Sequence, residues 1–482
     1  MSRTRIFVAV AILLPIAAAA AGCQLDDAHL GQSSDAITAS AASAVDLIAR
    51  GSITGSRADR SSASSGALEN GVAGNLLGGL GSGLAYAGFN LFLAVPDRGP
   101  NAVPFNPASD DTTSYINRFQ TLFMHLERSA PGAALPLALT PFLLDTTLLH
   151  SSTPLTYGAG SDVGLASGAP ALNAARRTHY FTGRSDNFDP ATPSTDPRDG
   201  RLDPESIRVS RDGLHVFVTD EYGPHVYEFD RLTGTRVRSF ALPAGFAVPM
   251  QSAQGQVEID GNTVGRVANK GMEGLAITPD GRALVGAMQS PLLQDGGTSA
   301  QFTRLVAIDV RTGAIHQYAY PLTNIGTAKK PKYPTVSEIL AINDHEFLVD
   351  ERDGKGLGDD SEAAFKNVFH IDLTGAADVS GLTGEANLAA AAVPKTLFLD
   401  IVAVLTAHGT AAADIPAKLE GMAFGPDVFV GCARLHTLWV ANDNDFIATV
   451  TDSHHPAGID NPNQFFVFGI DPALVPGFEP QR

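Results

Sequence analysis

An all-β fold is predicted for most of this chain by two features of the sequence. Beyond residue 75, apolar runs of four to eight residues alternate with turn signals such as Asp-Gly, Pro-Asp-Gly, Thr-Gly and Gly-Pro, and helical periodicity is almost absent. The second feature is an internal repeat of an acidic residue, an apolar strand, a tight turn, a second apolar strand and a polar tip. Together they indicate a ring of small antiparallel sheets, which is the arrangement of a β-propeller.

Five copies of this repeat are clear. Four begin with a glutamate, and Glu205, Glu273, Glu338 and Glu420 follow one another at intervals of 68, 65 and 82 residues. A further copy spans residues 81–101, with Ser82 in place of glutamate. A long loop-rich insertion separates this first copy from the second. Each interval is long enough for three or four strands, so each copy should be one blade.

The N-terminus predicts export and a lipid anchor. Arg3 and Arg5 precede an apolar run from Ile6 to Ala21, and the small residues that follow lead directly to Cys23. This pattern indicates a signal peptide over residues 1–22, cut so that Cys23 carries the lipid. Gln24 after that cysteine favours the outer membrane of a bacterial envelope. The alternative is an ordinary secretory signal that leaves Cys23 as a thiol.

Composition divides the remaining chain. Residues 23–75 are rich in Ala, Ser and Gly and are predicted to be a low-complexity tether, with a short helix as an option around 41–50. Residues 76–482 should form the folded domain.

The net charge of −18 argues against a nucleic-acid partner. Walker, Gly-x-Ser-x-Gly, His-Glu-x-x-His and dinucleotide-binding motifs are absent from the sequence, as is a Cys/His cluster with zinc spacing.

Hairpin geometry predicts that the polar ends of the repeats meet. An antiparallel hairpin pairs residues equidistant from its turn, so the acid that opens each first strand lies beside the polar tip that ends the second. The innermost strands of a propeller all run the same way along the central channel, so these ends should converge on one face. The predicted ring consists of Asp97, Arg98, Glu205, Asp220, Glu221, Glu273, Gln289, Glu338, Glu351, Arg352, Glu420, Asn442 and Asp443.

The composition of this ring predicts a divalent cation. Several carboxylates in one funnel repel one another unless a cation neutralises them, and ligands that are only oxygens favour calcium over zinc or copper. The expected metal ligands are Asp97, Glu205, Asp220, Glu221, Glu338, Glu351 and Asp443. The expected substrate contacts are Arg98, Arg352, Lys418, Gln289 and Asn442. Glu273 and Glu420 are the expected catalytic carboxylates, which would orient or deprotonate a water.

A structural interpretation of the same residues stays open at this point. Repeated Glu and Asp in propeller blades often cap strand ends and connect blades through backbone N–H groups. The aspartates of the Thr-Gly turns, Asp230, Asp309 and Asp372, are predicted to have only that role.

Several segments resemble one known family. DRGPN at 97–101, DPESIRVSRDG at 203–213, NKGMEGLAITPDG at 269–281, SEILAINDHEFLVDERDG at 337–354 and KLEGMAFGPD at 418–427 are similar to the bacterial phytase-like, esterase-like proteins. The resemblance runs from about Gly79 to Asp471. It implies a six-bladed propeller related to calcium-dependent phytases, with metal and substrate contacts at Asp97, Glu205, Glu221, Glu273, Glu351, Glu420 and Asp443. The sixth blade would lie in residues 115–180, where segments 117–126 and 135–144 look like strands.

Three functions remain possible from the sequence. The first is an envelope-anchored, calcium-dependent hydrolase that acts on a small phosphoric ester and meets the membrane only through its lipid. The second is a carboxylic-ester or lactone hydrolase on the same scaffold. The third is a propeller that binds an envelope ligand without catalysis.

Overall fold

The computed structural model describes residues 45–100, 106–110, 112–161, 164–174 and 177–481. In chain order the strands are β1 (Val45–Ile53), β2 (Gly83–Tyr86), β3 (Leu91–Val95), β4 (Arg118–Arg128), β5 (Leu137–Leu148), β6 (His150–Ser151), β7 (His179–Tyr180), β8 (Ile207–Val209), β9 (His215–Asp220), β10 (His225–Asp230), β11 (Arg236–Ala241), β12 (Met272–Ile277), β13 (Ala283–Met288), β14 (Phe302–Asp309), β15 (Ile315–Pro321), β16 (Thr335–Ala341), β17 (Glu346–Arg352), β18 (Lys366–Asp372), β19 (Lys395–Asp400), β20 (Lys418–Phe424), β21 (Val428–Val430), β22 (Ala433–Asp443), β23 (Thr449–Val450), β24 (Ile459–Asp460) and β25 (Asn463–Ile470).

Helices are few and short. The α-helices are α1 (Gly255–Gly261), α2 (Glu385–Ala389) and α3 (Ile401–Ala407). Single 3-10 turns lie at Ser62–Ser64, Pro107–Ser109, Ala171–Ala174, Leu293–Asp295, Gly297–Ser299, Ala412–Asp414 and Pro472–Leu474. Within the described ranges, no helix is long and apolar enough to cross a membrane.

The β-propeller prediction is confirmed. Besides the two-stranded pairs β6 with β7 and β23 with β24, the described residues form five larger antiparallel sheets: β2 to β5, β8 to β11, β12 to β15, β16 to β19, and β20, β22, β25 and β1, with β21 added to the edge of β22. We number them blades 1 to 5. Their first strands contact one another in the order β2, β8, β12, β16 and β20, and β20 returns to β2. The inner strands of these five blades therefore form a closed ring.

The segments expected to hold a sixth blade belong to blade 1. Residues 117–126 and 135–144 fall within β4 and β5, which pair with each other along eleven residue pairs, and β4 also pairs with β3. They are strands as expected, but they complete the first hairpin instead of forming a sheet of their own. The long insertion between the first two copies of the repeat is found at residues 149–206, in whose described part β6 and β7 are the only strands.

The N-terminal strand β1 closes blade 5. It pairs with β25 from Val45 with Ile470 to Ile53 with Asn463. The tether predicted over residues 23–75 is therefore wrong from Val45 onward, because the side chains of this strand are largely buried. Residues beyond it are also fixed, since buried Asp59 forms a 2.5 Å ion pair with Arg118. The signal peptide, Cys23 and the rest of residues 1–44 lie outside the described residues.

Apolar side chains fill the spaces between neighbouring blades. Leu340 and Leu348 of blade 4 pack in one cluster with Met422 and Phe468 of blade 5. The Trp439 ring of blade 5 lies 4.6 Å from that of Phe92 in blade 1. Each such cluster buries one face of two sheets, so the blades stabilise one another around the ring.

Candidate active site

Each blade contributes two side chains at equivalent positions to one end of the ring. Five apolar residues of the inner strands, Leu84, Ile207, Leu275, Ile339 and Met422, lie opposite Ala94, Val218, Gly286, Val349 and Val440 of the second strands. This register aligns the five blades residue by residue. Two residues before the first set stand Ser82, Glu205, Glu273, Ser337 and Glu420, which we call the lower tier. Three residues after the second set stand Asp97, Glu221, Gln289, Arg352 and Asp443, which we call the upper tier.

All the residues of these two tiers except Ser82 and Ser337 line one cavity of about 780 Å³. It is lined by ten of the residues predicted from the sequence: Asp97, Arg98, Glu205, Glu221, Glu273, Gln289, Arg352, Lys418, Glu420 and Asp443. The structure thus brings together most of the predicted ring, and we call this cavity the funnel. Sequence reasoning missed Asn269, Lys270 and Asp353, which also line it.

Three predicted residues do not reach the funnel, because each stands one residue before the upper tier. Neighbouring residues of a strand point to opposite faces, so these side chains turn away. Asp220 accepts hydrogen bonds from the backbone N–H groups of Asp203, Tyr222 and Gly223. Glu351 accepts from the hydroxyl of Tyr320 at 2.7 Å. Both were expected as metal ligands, and that prediction is corrected.

Asn442, the third of them, was expected to contact substrate. Its amide donates to the carbonyl of Pro462 at 3.3 Å and its side-chain oxygen accepts from the backbone N–H of Gln464. These bonds hold the turn before β25, so Asn442 has a structural place instead.

Glu338 was aligned with the wrong residues. A β-bulge puts Ser337, and not Glu338, in the lower tier. Glu338 instead takes the position held by Gly83, Ser206, Gly274 and Gly421 in the other blades. Its carboxylate is fully buried and pairs with Arg208 at 2.9 Å, and it accepts from the Ser206 hydroxyl. This ion pair crosses the ring between β8 and β16, so Glu338 is not a ligand in the funnel.

The most acidic part of the funnel is formed by Asp203, Glu205 and Glu221. One carboxylate oxygen of each lies within 4.8 Å of the others, and all three residues are buried. Asp203 is held by Arg98, whose Nη1 lies 2.6 Å from Oδ2. Glu221 accepts from the backbone N–H of Gly271 at 3.0 Å. The carboxylate of Glu205 accepts no hydrogen bond from any residue that the structure describes.

Burial and the repulsion of nearby carboxylates raise the pKa values of Glu205 and Glu221. The pKa of Glu205 lies well above its ordinary value because of burial first and the neighbouring charge of Glu273 second. Burial raises the pKa of Glu221 to about 8, although Arg98 and Lys270 oppose the shift. A cation within the cluster would remove this cost. Three buried oxygens with no nitrogen or sulfur ligand among them fit a hard cation such as calcium.

Glu273 is the centre of a short chain of hydrogen bonds. Gln289 donates from Nε2 to Oε2 of Glu273 at 2.6 Å, and Lys270 donates to Oε1 of Gln289 at 2.9 Å. Burial and the nearby carboxylates of Glu221 and Glu420 raise the pKa of Glu273 well above its usual range. The second oxygen, Oε1, has no hydrogen-bond donor among the described residues. Glu273 is therefore oriented through one oxygen and available through the other.

The opposite wall of the funnel carries two basic side chains, and each of them is paired with carboxylates. Arg352 donates to Oε1 of Glu420, and Lys418 binds both Asp443, at 2.9 Å, and Asp445. Oxygens of Asp97, Asp443 and Asp445 form a second acidic group within 4.8 Å of one another. Here Lys418 already neutralises part of the charge, and these carboxylates raise its pKa well above the usual value.

Asp203, but not Asp445, had a signal that the sequence reasoning did not use. Asp203 stands two residues before Glu205, and this spacing of two along an extended segment was a signal for it. Asp445 stands two residues after Asp443 but lies in a turn with a φ of 52°, so the spacing alone could not place it. Lys270 comes two residues before Met272, which pairs with Met288, so the hairpin of β12 and β13 brings it to Gln289.

Comparisons with known proteins agree with this fold. The family model described as phytase-like, esterase-like activity of phytase, matches residues 75–446. An uncharacterized secreted protein of Arthroderma benhamiae is 29% identical over 324 residues, which cover 58% of this chain and 60% of that protein. The chain thus spans less than two thirds of that relative's length.

Solved propellers align over most of the chain at low identity. The periplasmic gluconolactonase of Pseudomonas aeruginosa covers 88% of this chain and 98% of its own, with 11% identity and a TM-score of 0.33. A gluconolactonase of Xanthomonas campestris covers 88% and 97%, with 11% identity and a TM-score of 0.29. At these scores the likeness carries no argument about activity.

Proposed function

This chain belongs to the phytase-like family with esterase-like activity of phytase, and on that premise we propose that its funnel is the active site of a metal-dependent hydrolase of phosphoric esters. One observation supports this most. Glu205 and Glu221, which form a buried acidic cluster with Asp203, line the same cavity as Arg98, Lys270, Arg352 and Lys418. A cation site beside four basic side chains suits an anionic group that must be held and polarised.

Asp203, Glu205 and Glu221 would hold the metal, with calcium as the proposed ion. When bound there, the ion would polarise a phosphoryl oxygen and lower the pKa of a bound water. Glu205 is the strongest support for a cation at this place. Its carboxylate is buried, no described residue donates a hydrogen bond to it, and the charged groups near it are acidic. Asp97 and Asp443 lie on the other wall with Lys418, so we propose that they position that lysine.

Glu273 is the proposed proton acceptor. Its free Oε1 would take a proton from the attacking water as the water oxygen bonds to phosphorus, and the bond from phosphorus to the alcohol oxygen breaks. The leaving alkoxide takes a proton from solvent water, and Glu273 releases the proton it accepted to solvent. Gln289 holds the carboxylate in place through Oε2 at 2.6 Å. Glu420 is proposed to position the guanidinium of Arg352 for the phosphoryl oxygens, which replaces the catalytic role expected from the sequence.

A carboxylic-ester hydrolase is the second candidate, favoured by the esterase-like description of the family. The same proton acceptor and the same cationic wall would then serve a carbonyl carbon and its developing oxyanion. A propeller that binds an anionic ligand without cleaving it is the third. One assay panel separates the three.

The test is hydrolysis by the full chain of inositol hexakisphosphate, a phosphomonoester, a phosphodiester, an aryl acyl ester and a lactone, each with calcium and with a chelator. Phosphate release that the chelator abolishes is the expected result. Acyl-ester or lactone turnover with inert phosphoric esters would establish the second candidate. Absence of turnover, with calcium still raising the melting temperature, would establish the third and contradict the proposal.

Two variants assign the roles within the funnel. Glu205→Gln should weaken calcium binding measured by calorimetry, and Glu273→Gln should lower kcat by about 100-fold or more while calcium affinity changes little. Glu362→Gln is the matched control, because this exposed glutamate lies on the loop after β17 but does not line the funnel. Equal activity of Glu273→Gln and the control would exclude Glu273 as the proton acceptor.

We also propose that the chain is exported and anchored in the outer membrane through a lipid on Cys23. The support is the signal pattern of residues 1–22. Cys23→Ser should move the protein from the membrane fraction to the soluble envelope fraction. An unchanged distribution would rule out the anchor and leave an ordinary secretory signal.

A further inference from the structure

Lysine is scarce in this chain and clustered around the funnel. The sequence has eight lysines, and all of them lie between residues 270 and 418. Lys270, Lys332, Lys355 and Lys418 line the funnel. Lys329 and Lys330 belong to the same hairpin as Lys332, in the connection from blade 3 to blade 4. Six of the eight are therefore in or beside one cavity.

The lysines fall into two groups by their partners. The buried or half-buried ones are paired: Lys270 with Gln289, Lys366 with Asp353, Lys395 with Glu351 and Lys418 with Asp443. The remaining four, Lys329, Lys330, Lys332 and Lys355, are exposed, and none forms an ion pair with a described residue. In a chain with a net charge of −18, four unpaired lysines at one place form an isolated positive patch.

The hairpin that carries three of them is held by its own backbone. Residues 324–332 form what we call the lysine hairpin. Ile325 donates to the carbonyl of Lys332 at 2.9 Å, and Thr327 and Lys330 exchange N–H to carbonyl bonds of 3.0 and 3.1 Å. The side chain of Asn324 accepts from the backbone N–H of Lys332 at 3.2 Å. Ile325, Pro331 and Lys332 line the funnel, so the hairpin stands at its mouth.

Acidic groups do not cancel this patch. Asp353 and Asp359 lie on the loop that carries Lys355. Asp353 is already engaged by Lys366, and Asp359 accepts from the Ser361 hydroxyl. The acidic cluster of Asp203, Glu205 and Glu221 belongs to blade 2, whereas the lysine hairpin connects blade 3 to blade 4. The funnel thus has a positive mouth on one side and a negative floor on the other.

We propose that the lysine hairpin, with Lys355, determines substrate choice by capturing an anionic group of the ligand outside the reacting centre, and so selects anionic over neutral esters. Selection among esters rests on the proposed function, whereas binding of an anion by these lysines does not require turnover. Exposed lysines that are not tied to carboxylates attract anions over a Debye length, so the capture should weaken with salt.

The test compares two triple variants. One removes the three positive charges of the lysine hairpin, and the other removes three positive charges elsewhere on the surface. Lys329→Gln/Lys330→Gln/Lys332→Gln is the test variant. Arg211→Gln/Arg282→Gln/Arg311→Gln is the matched control, because these exposed arginines lie in strand turns at the opposite end of the propeller. Both variants change the net charge equally, and all six positions are exposed, so folding should be kept.

The first readout is binding of inorganic tripolyphosphate in metal-free buffer, measured by calorimetry at about 20 mM and about 300 mM salt. The test variant should bind about tenfold more weakly than the control at low salt, and the difference should shrink at high salt. Absence of binding to the wild-type chain, or equal binding by the two variants at low salt, would overturn the proposal.

The second readout is kcat and KM for an anionic phosphomonoester and a neutral acyl ester. The test variant should raise KM for the anionic ester with kcat unchanged and leave the neutral ester unaffected. If no ester is hydrolysed but tripolyphosphate binding still depends on the hairpin, the proposed function fails and the capture of anions stands. If phosphoric esters are hydrolysed equally by both variants, the hairpin has no part in substrate choice.

Discussion

The ion pair between Arg208 and Glu338 makes a sharp prediction about stability. Arg208 is buried and donates to the carbonyls of Leu84, Ile207 and Ile339 as well as to Glu338. Arg208→Met removes these donors and leaves a buried carboxylate without its counter-charge. Loss of one partner of a buried pair costs about 3–5 kcal/mol in the free energy of unfolding.

The cost should depend on pH. Burial raises the pKa of Glu338 to about 7, against the lowering effect of Arg208. An acid whose pKa is higher in the folded chain than in the unfolded chain contributes its full stability below the unfolded-chain pKa. That contribution is lost as the pH rises through the folded-chain pKa. Without Arg208 the pKa rises further, so Glu338 is protonated at about pH 5.5 and the penalty there falls to about 1–2 kcal/mol for the lost hydrogen bonds.

Urea unfolding at about pH 5.5 and about pH 8.5 measures both values. The double variant Arg208→Met/Glu338→Ser removes both charges and gives blade 4 the residue that blade 2 has at this position. It should recover at least half of the loss seen for Arg208→Met at the higher pH. An equal loss at both pH values, or a double variant no more stable than the single one, would refute the reasoning that an unpaired charge causes the loss.

Three further predictions concern the fold. Asp350 is fully buried, and neither of its oxygens accepts a hydrogen bond from a residue that the structure describes. Burial raises its pKa to about 8, so wild-type stability should fall as pH rises toward about 8. Asp350→Asn should flatten the melting temperature against pH, while exposed Asp372→Asn should not, and parallel curves for wild type and Asp350→Asn would contradict this. Gly274→Ala would place a Cβ 2.7 Å from the backbone nitrogen of Ile339 and should cost about 1–3 kcal/mol in urea unfolding. Gly354→Ala, with no atom within 4 Å of the new Cβ, should be nearly neutral, and equal effects would exclude the crowding argument. A chain that begins at residue 54 lacks β1 and should lose cooperative unfolding, because β25 becomes an open edge. A chain that begins at residue 44 keeps β1 and should unfold cooperatively. Cooperative melting of the shorter chain would show that β1 is dispensable.

Sequence reasoning found the repeat and most of the funnel because both depend on local pattern. Glu205, Glu273 and Glu420 lie where hairpin geometry placed them, and so do Asp97, Glu221 and Asp443. The failures come from single-residue shifts. The residues around Glu338 resemble those around Glu273, but the small residue Gly274 follows Glu273, whereas Ile339 follows Glu338 directly. Both strands have a bulge, at Glu273 and at Ser337, so Glu338 stands at the position of Gly274. The missing small residue was a signal in the sequence that aligning the glutamates did not use.

Two other features depend on contacts between distant segments. Strand β1 lies in an Ala- and Ser-rich region, and its burial comes from β25 at the other end of the chain. The ion pair of Arg98 with Asp203 joins blade 1 to blade 2. It follows from the ring as a whole, so local pattern could not predict it.

The closure of blade 5 by β1 sets the order in which this protein can finish folding. Val45 is synthesised long before its partner Ile470, because the four preceding blades and most of the fifth lie between them in the chain. Blades 1 to 4 are each continuous in the chain and can form as they emerge, whereas the fifth must wait with its outer strand unpaired. Joining segments so far apart in sequence carries a high loop-closure entropy, so the final docking of β1 should be a slow step. Until then the ring has an open seam at which the unfinished chain is most exposed to proteolysis and to pairing with another molecule.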